Sequence, residues 1–142
     1  MKSCLDEYTG VMKGYKNNIE NLTLENNSFR KVLYTGKNTQ LVLMSLAQGE
    51  DIGMEVHNEN DQFFRFEGGE GKVIIDGNEY QVTDGDAVIV PMGSEHNVIN
   101  TGTEPLKLYT LYSPPHHRDG VHHETKAIAL ADEEEFDGTT TE

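Results

Sequence analysis

The chain is predicted to be all-β, a two-sheet sandwich or a closed double-sheet barrel, and three observations predict it. About nine short stretches are rich in β-branched and aromatic residues, and turn signals part them roughly every 8–12 residues. Thr35-Gly36-Lys37-Asn38 and Asp76-Gly77-Asn78 carry the glycine that tight hairpin loops need. Helix formers gather only near the C-terminus.

Residues 1–18 mix Gly10, Gly14, Asn17 and Asn18 without a period and read as a loosely held lead-in. A turn or two of helix is expected over Ile19–Glu25. Strands are then expected at Phe29–Thr35, Thr39–Ala47, Ile52–His57, Gln62–Glu67, Gly71–Asp76 and Glu79–Val82. Three more follow at Ala87–Val90, His96–Asn100 and Leu106–Tyr112, parted by Pro91–Gly93 and Gly102–Pro105. Ala127, Ala129, Leu130 and Ala131 favour helix within Glu124–Glu135, while Asp132-Glu133-Glu134-Glu135 and the Thr-rich end look solvated. This organisation reads as one domain without repeats: a lead-in over 1–27, a β-barrel over 28–113, and a His-containing exit with an acidic tail over 114–142.

At 142 residues the chain is long enough to bury about two-thirds of its unfolded surface. It has 11 basic and 25 acidic residues, a net charge of −14, and such a field repels nucleic acid and anionic membranes. Neither is an expected partner. The single cysteine, Cys4, rules out a disulfide framework and makes the reducing cytoplasm the expected compartment. The first thirty residues lack the apolar core of a signal peptide, and no run approaches the ~18 apolar residues of a membrane span.

The stretch from Gly85 to Asn100 is one strand, a Pro/Gly turn and a second strand that opens on His96. Strand alternation sets Glu55 and His57 on one face, with Met54 and Val56 opposite. It also sets Gln62 with Phe64 and Phe66, and Asp61 with Phe63 and Arg65. With the two phenylalanines in the core, a carboxylate, an imidazole, an amide and His96 can converge inside an apolar barrel. A buried carboxylate is costly unless it is compensated, and a metal ion is one compensation. A simple Glu55–His57 pair at a strand end is the other.

These residues also carry a resemblance. The chain resembles the cupins, whose first motif is a glycine, five residues, His-any-His, three or four residues, a glutamate, six residues and a glycine. Here Gly49, Glu55-Val56-His57, Gln62 and Gly69 stand at those spacings. The second cupin motif is complete in Gly85, Pro91-Met92-Gly93, His96 and Asn100. The resemblance spans roughly residues 28 to 113 and implies a small jelly-roll barrel (a double-stranded β-helix), commonly dimeric, with one divalent metal ion. By position the metal set is Glu55, His57, Gln62 and His96. Glu55 replaces the first family histidine and Gln62 the family glutamate; a three-residue spacer would choose Asp61 instead, closing on Gly68. Two imidazoles and one carboxylate resemble the triad of non-haem iron sites, and iron, manganese, nickel and zinc all suit such donors.

Outside the motifs, Glu59 and Asp61 flank the site, and Glu59 is one candidate for the catalytic proton-transfer group. His116, nearest the end of the last strand, is the other. His116, His117, His122 and His123 read either as solvated residues ahead of the tail or as a second site or lid. Tyr109 and Tyr112 occupy opposite faces, so at most one lines the cavity, and Arg65 points outward. No lysine or arginine is evident in the barrel interior. Met54, Val56 and Phe63 are expected to face outward on neighbouring strands, where the N-terminal region or a second subunit would cover them. The expected function is that of a metal-dependent enzyme on a small polar metabolite, a sugar or keto acid. The resemblance points towards small bacterial cupins often labelled mannose-6-phosphate isomerase-like. A non-catalytic small-ligand binder and an iron(II) oxygenase are the alternatives.

Overall fold

The structure, a computed structural model, describes residues 11–142; Cys4, Gly10 and the first part of the expected lead-in lie outside the described residues. Helix α1 (Ile19–Glu25) precedes strands β1 (Arg30–Thr35), β2 (Gln40–Leu46), β3 (Glu55–Val56), β4 (Asp61–Gly68) and β5 (Glu70–Ile75). Strands β6 (Asn78–Thr83), β7 (Ala87–Val90), β8 (Glu95–Asn100), β9 (Leu106–Ser113) and β10 (His122–His123) follow, then helix α2 (Lys126–Ala131). The strands form a six-stranded sheet in the order β10-β1-β2-β9-β4-β7 and a four-stranded sheet in the order β3-β8-β5-β6. Every pairing is antiparallel, and the two sheets close face to face as a jelly-roll barrel.

Register sets the core. Leu108 lies opposite Met44 and Phe66, and Thr110 lies opposite Val42 and Phe64, so these side chains enter the barrel together. Val73, Val82 and Val98 meet them from the smaller sheet, all at most 5% exposed. The chain passes between sheets at Gly68-Gly69. Gly69 has φ +88°, and a Cβ there would sit 2.5 Å from the Pro105 carbonyl oxygen, so only glycine fits the crossing.

Helix α1 starts on an Asn18 cap that accepts from Asn21 N–H and lies against the outer face of the larger sheet. Lys107, on that outer face, is buried; its ammonium donates to the Asn26 carbonyl at the helix C-terminus and to Asn27 Oδ1 at 2.9 Å. Burial pushes the Lys107 ammonium below its ordinary value.

Three expectations are corrected here. The stretch Ile52–His57 is not one strand: only Glu55–Val56 pairs, because Gly53, at φ +111°, breaks the extended run. Met54, Val56 and Phe63 do not share a surface on neighbouring strands, since β3 joins the smaller sheet and β4 the larger. The C-terminal segment keeps Asp132, Glu133 and Glu135 exposed, as expected, but it is tied to the body rather than free. His122 and His123 add a short edge strand to β1, and Glu134 and Thr141 bond back to the body. No described helix is long and apolar enough to cross a membrane.

Candidate metal centre

Glu55 and His96 are directly opposite in the β3–β8 pair, so their side chains leave the sheet on the same side, into the barrel. His57 follows two residues after Glu55 and is fastened by its carbonyl, which accepts from Gly93 N–H at 2.8 Å. One donor atom each from Glu55, His57 and His96 fall within 4.8 Å of one another. His96 Nδ1 donates to the Ser94 carbonyl at 3.1 Å, which leaves the Nε2 lone pair directed away from the backbone. His57 Nε2 approaches Glu55 Oε1 at 3.2 Å without hydrogen-bond alignment and is otherwise unpartnered. Burial raises the Glu55 carboxyl, but His57, Arg30 and His96 outweigh it and hold the group below the usual carboxylate range. Burial also lowers His96. Both shifts favour neutral imidazole beside carboxylate, the protonation states that ligate a cation.

Gln62 points inward from β4, opposite Tyr112 and Val90. Its Nε2 donates to Thr110 Oγ1 at 3.0 Å, while its buried Oε1 has no partner. Asp61 is exposed and spends Oδ1 on Met92 N–H at 2.9 Å, capping the Pro91–Gly93 turn. Between the two, the inward residue is Gln62. Two imidazole nitrogens and a carboxylate oxygen, with His57 Nε2 buried and unsatisfied, fit a divalent first-row cation.

His116 lies over this cluster, its ring 4.4 Å from that of His57 and stacked on Tyr112 at 5.2 Å. Burial, with the neighbouring His117 and His57, pushes it down to about 4. Gln40, fully buried, accepts from the backbone N–H of both His116 (3.1 Å) and His117 (2.9 Å) and so pins the segment. A cavity of about 340 Å³ opens at this end, lined by His57, Glu59, His116 and Phe136 among others. Glu59 is exposed at its rim.

The histidines after the last strand are not uniformly solvated, as one sequence reading held. His117 is 5% exposed: Nδ1 donates to Glu134 Oε2 at 2.6 Å, and Nε2 faces the Tyr112 hydroxyl at 3.3 Å. His123 is 3% exposed and pairs with Asp132 at 2.9 Å. Only His122 is exposed, against Ser28 Oγ. Tyr112 is the tyrosine of its strand that faces inward, and Tyr109 lies outside beside Phe63. Arg65 is half-exposed and pairs with Glu67 at 3.4 Å, two residues further along the same strand.

The interior does hold a cation, contrary to expectation. Arg30 opposes Met44 and His123 and enters the barrel with them, 8% exposed. Its inward parity was legible only once the strand boundary was known, since Phe29–Thr35 alone allows either face.

A two-sheet jelly roll with a His/Glu/His cluster inside its mouth defines a class of small β-barrel proteins. The cupin-domain family model matches residues 42–112, and the chain belongs to the cupin family. It is 52% identical to the uncharacterized protein YrkC of Bacillus subtilis over 123 residues, 82% of this chain and 66% of that protein. An uncharacterized protein of Acanthamoeba polyphaga mimivirus is 41% identical over 110 residues, 75% of this chain and 69% of its own. The chain thus spans about two-thirds of the length of these curated relatives. A crystal structure from Bacillus halodurans superposes with a TM-score of 0.83 at 46% identity, covering 84% of this chain and 96% of that one.

Proposed function

We propose that this cupin is a metal-dependent enzyme acting on a small polar metabolite, a sugar or keto acid, in an isomerase-like reaction. Glu55, His57, Gln62 and His96 would hold one divalent ion. The observation that carries the reading is the convergence of three donor atoms within 4.8 Å around unpartnered, buried His57 Nε2, beside the unpartnered Gln62 Oε1. Bound there, an ion of this kind supplies Lewis-acid polarisation of a substrate oxygen. The chain supplies the rest. The Ser94 carbonyl orients the His96 ring, and Thr110 orients the Gln62 amide. His116, held neutral at the cavity mouth, would accept a proton and return it, with Glu59 at the rim as the second candidate.

Elemental analysis of the purified chain, prepared without chelator, tests this beside His57→Ala/His96→Ala. About one metal per chain in the parent and none in the double variant is expected. No uptake of iron, nickel, zinc or manganese by the parent would overturn the reading and leave a metal-free ligand binder. The two-histidine, one-carboxylate count favours a second reading, an iron(II) oxygenase, for which oxygen consumption that depends on added iron is the test. The proposal also includes a homodimer, on the strength of the apolar residues left exposed on the edge strands.

A further inference from the structure

We infer that Arg30 is the recognition group for a carboxylate on the small molecule that enters the barrel, bound beside Glu55, His57 and His96. The inference rests on the reading of the interior as a metabolite site and narrows that metabolite to a small organic anion.

Arg30 opens β1 and is more than nine-tenths buried, at 8% exposure. Among the described residues its Nε–H has no acceptor, and no carboxylate lies within ion-pair reach of its guanidinium. Its one polar approach is Nη1 to His123 Nδ1 at 3.4 Å, and that imidazole is committed through Nε2 to Asp132. A buried guanidinium with a free N–H and no anion against it is costly. Its position is nonetheless central. Register turns the Arg30 side chain into the barrel opposite Met44 and His123, and its charge is felt at Glu55, Tyr112, His117 and Glu134.

The unsatisfied atoms of the interior divide by type. Gln62 Oε1 is an acceptor, as is His57 Nε2 in the tautomer that carries its proton on Nδ1, and a cation accounts for both. Arg30 Nε–H is a donor, and a cation cannot account for it. The Nε–H and the adjacent amino group of a guanidinium form the edge that takes both oxygens of a carboxylate in parallel. A neutral sugar needs no buried charge opposite it. A phosphate dianion would leave surplus negative charge beside Glu55 and Glu134, whereas a carboxylate monoanion balances Arg30. In a chain of net charge −14, a small anion needs a dedicated internal cation to be retained.

The test follows the Arg30 Nε–H resonance of the full-length, nitrogen-15-labelled protein on addition of pyruvate, glycolate, hydroxyacetone (a neutral control) and inorganic phosphate, with metal content measured on the same samples. Pyruvate or glycolate is expected to move that resonance saturably and hydroxyacetone to leave it in place. Arg30→Gln should weaken carboxylate binding by about tenfold or more at unchanged metal content, with Arg30→Lys intermediate. An unmoved Arg30 resonance, equal carboxylate binding by the folded Arg30→Gln protein, or a response to phosphate alone would overturn the inference. The resonance is read in the unaltered chain, so the result stands even where a variant fails to fold. Protein that takes up no metal yet responds to pyruvate at Arg30 would remove the metal reading and keep this one. Protein that binds metal and shows no response would do the reverse.

Discussion

Asn100 ends β8 with its side chain turned into the crossing of three chain segments. Its Nδ2 donates to the carbonyls of Leu46 (3.0 Å), Ala47 (3.1 Å) and Glu104 (2.9 Å), and its Oδ1 accepts from Gly102 N–H at 2.9 Å. One amide therefore ties the end of β2 to the loop that leads into β9. The residue is 2% exposed, so truncation leaves several backbone groups unsatisfied in a place water does not reach. Asn100→Ala is expected to lower stability by about 2–4 kcal/mol, read as a shift of the urea midpoint without change of slope. An effect within about 0.5 kcal/mol would show that the amide is dispensable. The same logic separates Gln62 from Asp61. Alternation in the sequence already put Gln62 with Phe64 and Phe66, and the β4–β9 register bears out that face. Arg30, by contrast, was invisible as an interior residue, because a short strand with mixed polarity has no parity until its partners are known.

At the scale of elements, the C-terminal segment is the part that closes the open edge of the barrel. Lys126 of α2 reaches Asp51 at 2.6 Å, Asp132 meets His123, and Glu134 receives both His117 Nδ1–H and the Arg118 N–H. Burial raises the Glu134 carboxyl, but the bonds from His117 and Arg118 outweigh it and hold the group down at about 2. The unfolded chain, with an ordinary value near 4.5, therefore takes up that proton first as pH falls. The stabilisation from Glu134 is complete above about pH 4.5 and is lost on the way to pH 2. His117 is lowered by burial despite Glu134, so acid also favours the unfolded chain from about pH 6.5 downward. Melting temperatures are expected to fall continuously from pH 7 to 3. Glu134→Gln should melt lower at pH 7 and show a flatter slope below pH 4.5; a slope identical to the parent would remove Glu134 from the acid response. Nothing local announced this arrangement. Asp132-Glu133-Glu134-Glu135 has the composition of a solvated run, and only the return of the chain against His123 and His117 distinguishes Asp132 and Glu134 from Glu133 and Glu135.

For the molecule as a whole, charge and exposed apolar surface oppose each other. Met54, Tyr80 and Ile89 are 52%, 50% and 66% exposed, and the edge strands β6 and β7 offer unpaired backbone. Each copy carries −14, so two copies repel unless that field is screened. The proposed homodimer is accordingly expected at micromolar concentration in physiological salt, with about twice the 15.9 kDa chain mass by light scattering, and should dissociate more readily as salt is lowered. A monomer at every ionic strength would end that proposal.

The all-β class, the hairpins and the inward face of the Gln62–Phe66 strand follow from the sequence alone, because pleat and turn chemistry act over a few residues. The complete Gly85–Asn100 motif likewise located His96 and Asn100, since a strand-turn-strand holds its own side chains in place. Which strands share a sheet was settled by tertiary structure, and so were Arg30, His117, His123 and Glu134. Glu55 meets His96 from 41 positions away, and Arg30 meets His123 from 93. Contacts at such distances depend on how the two sheets close and where the C-terminal segment lies down, and no local propensity encodes either.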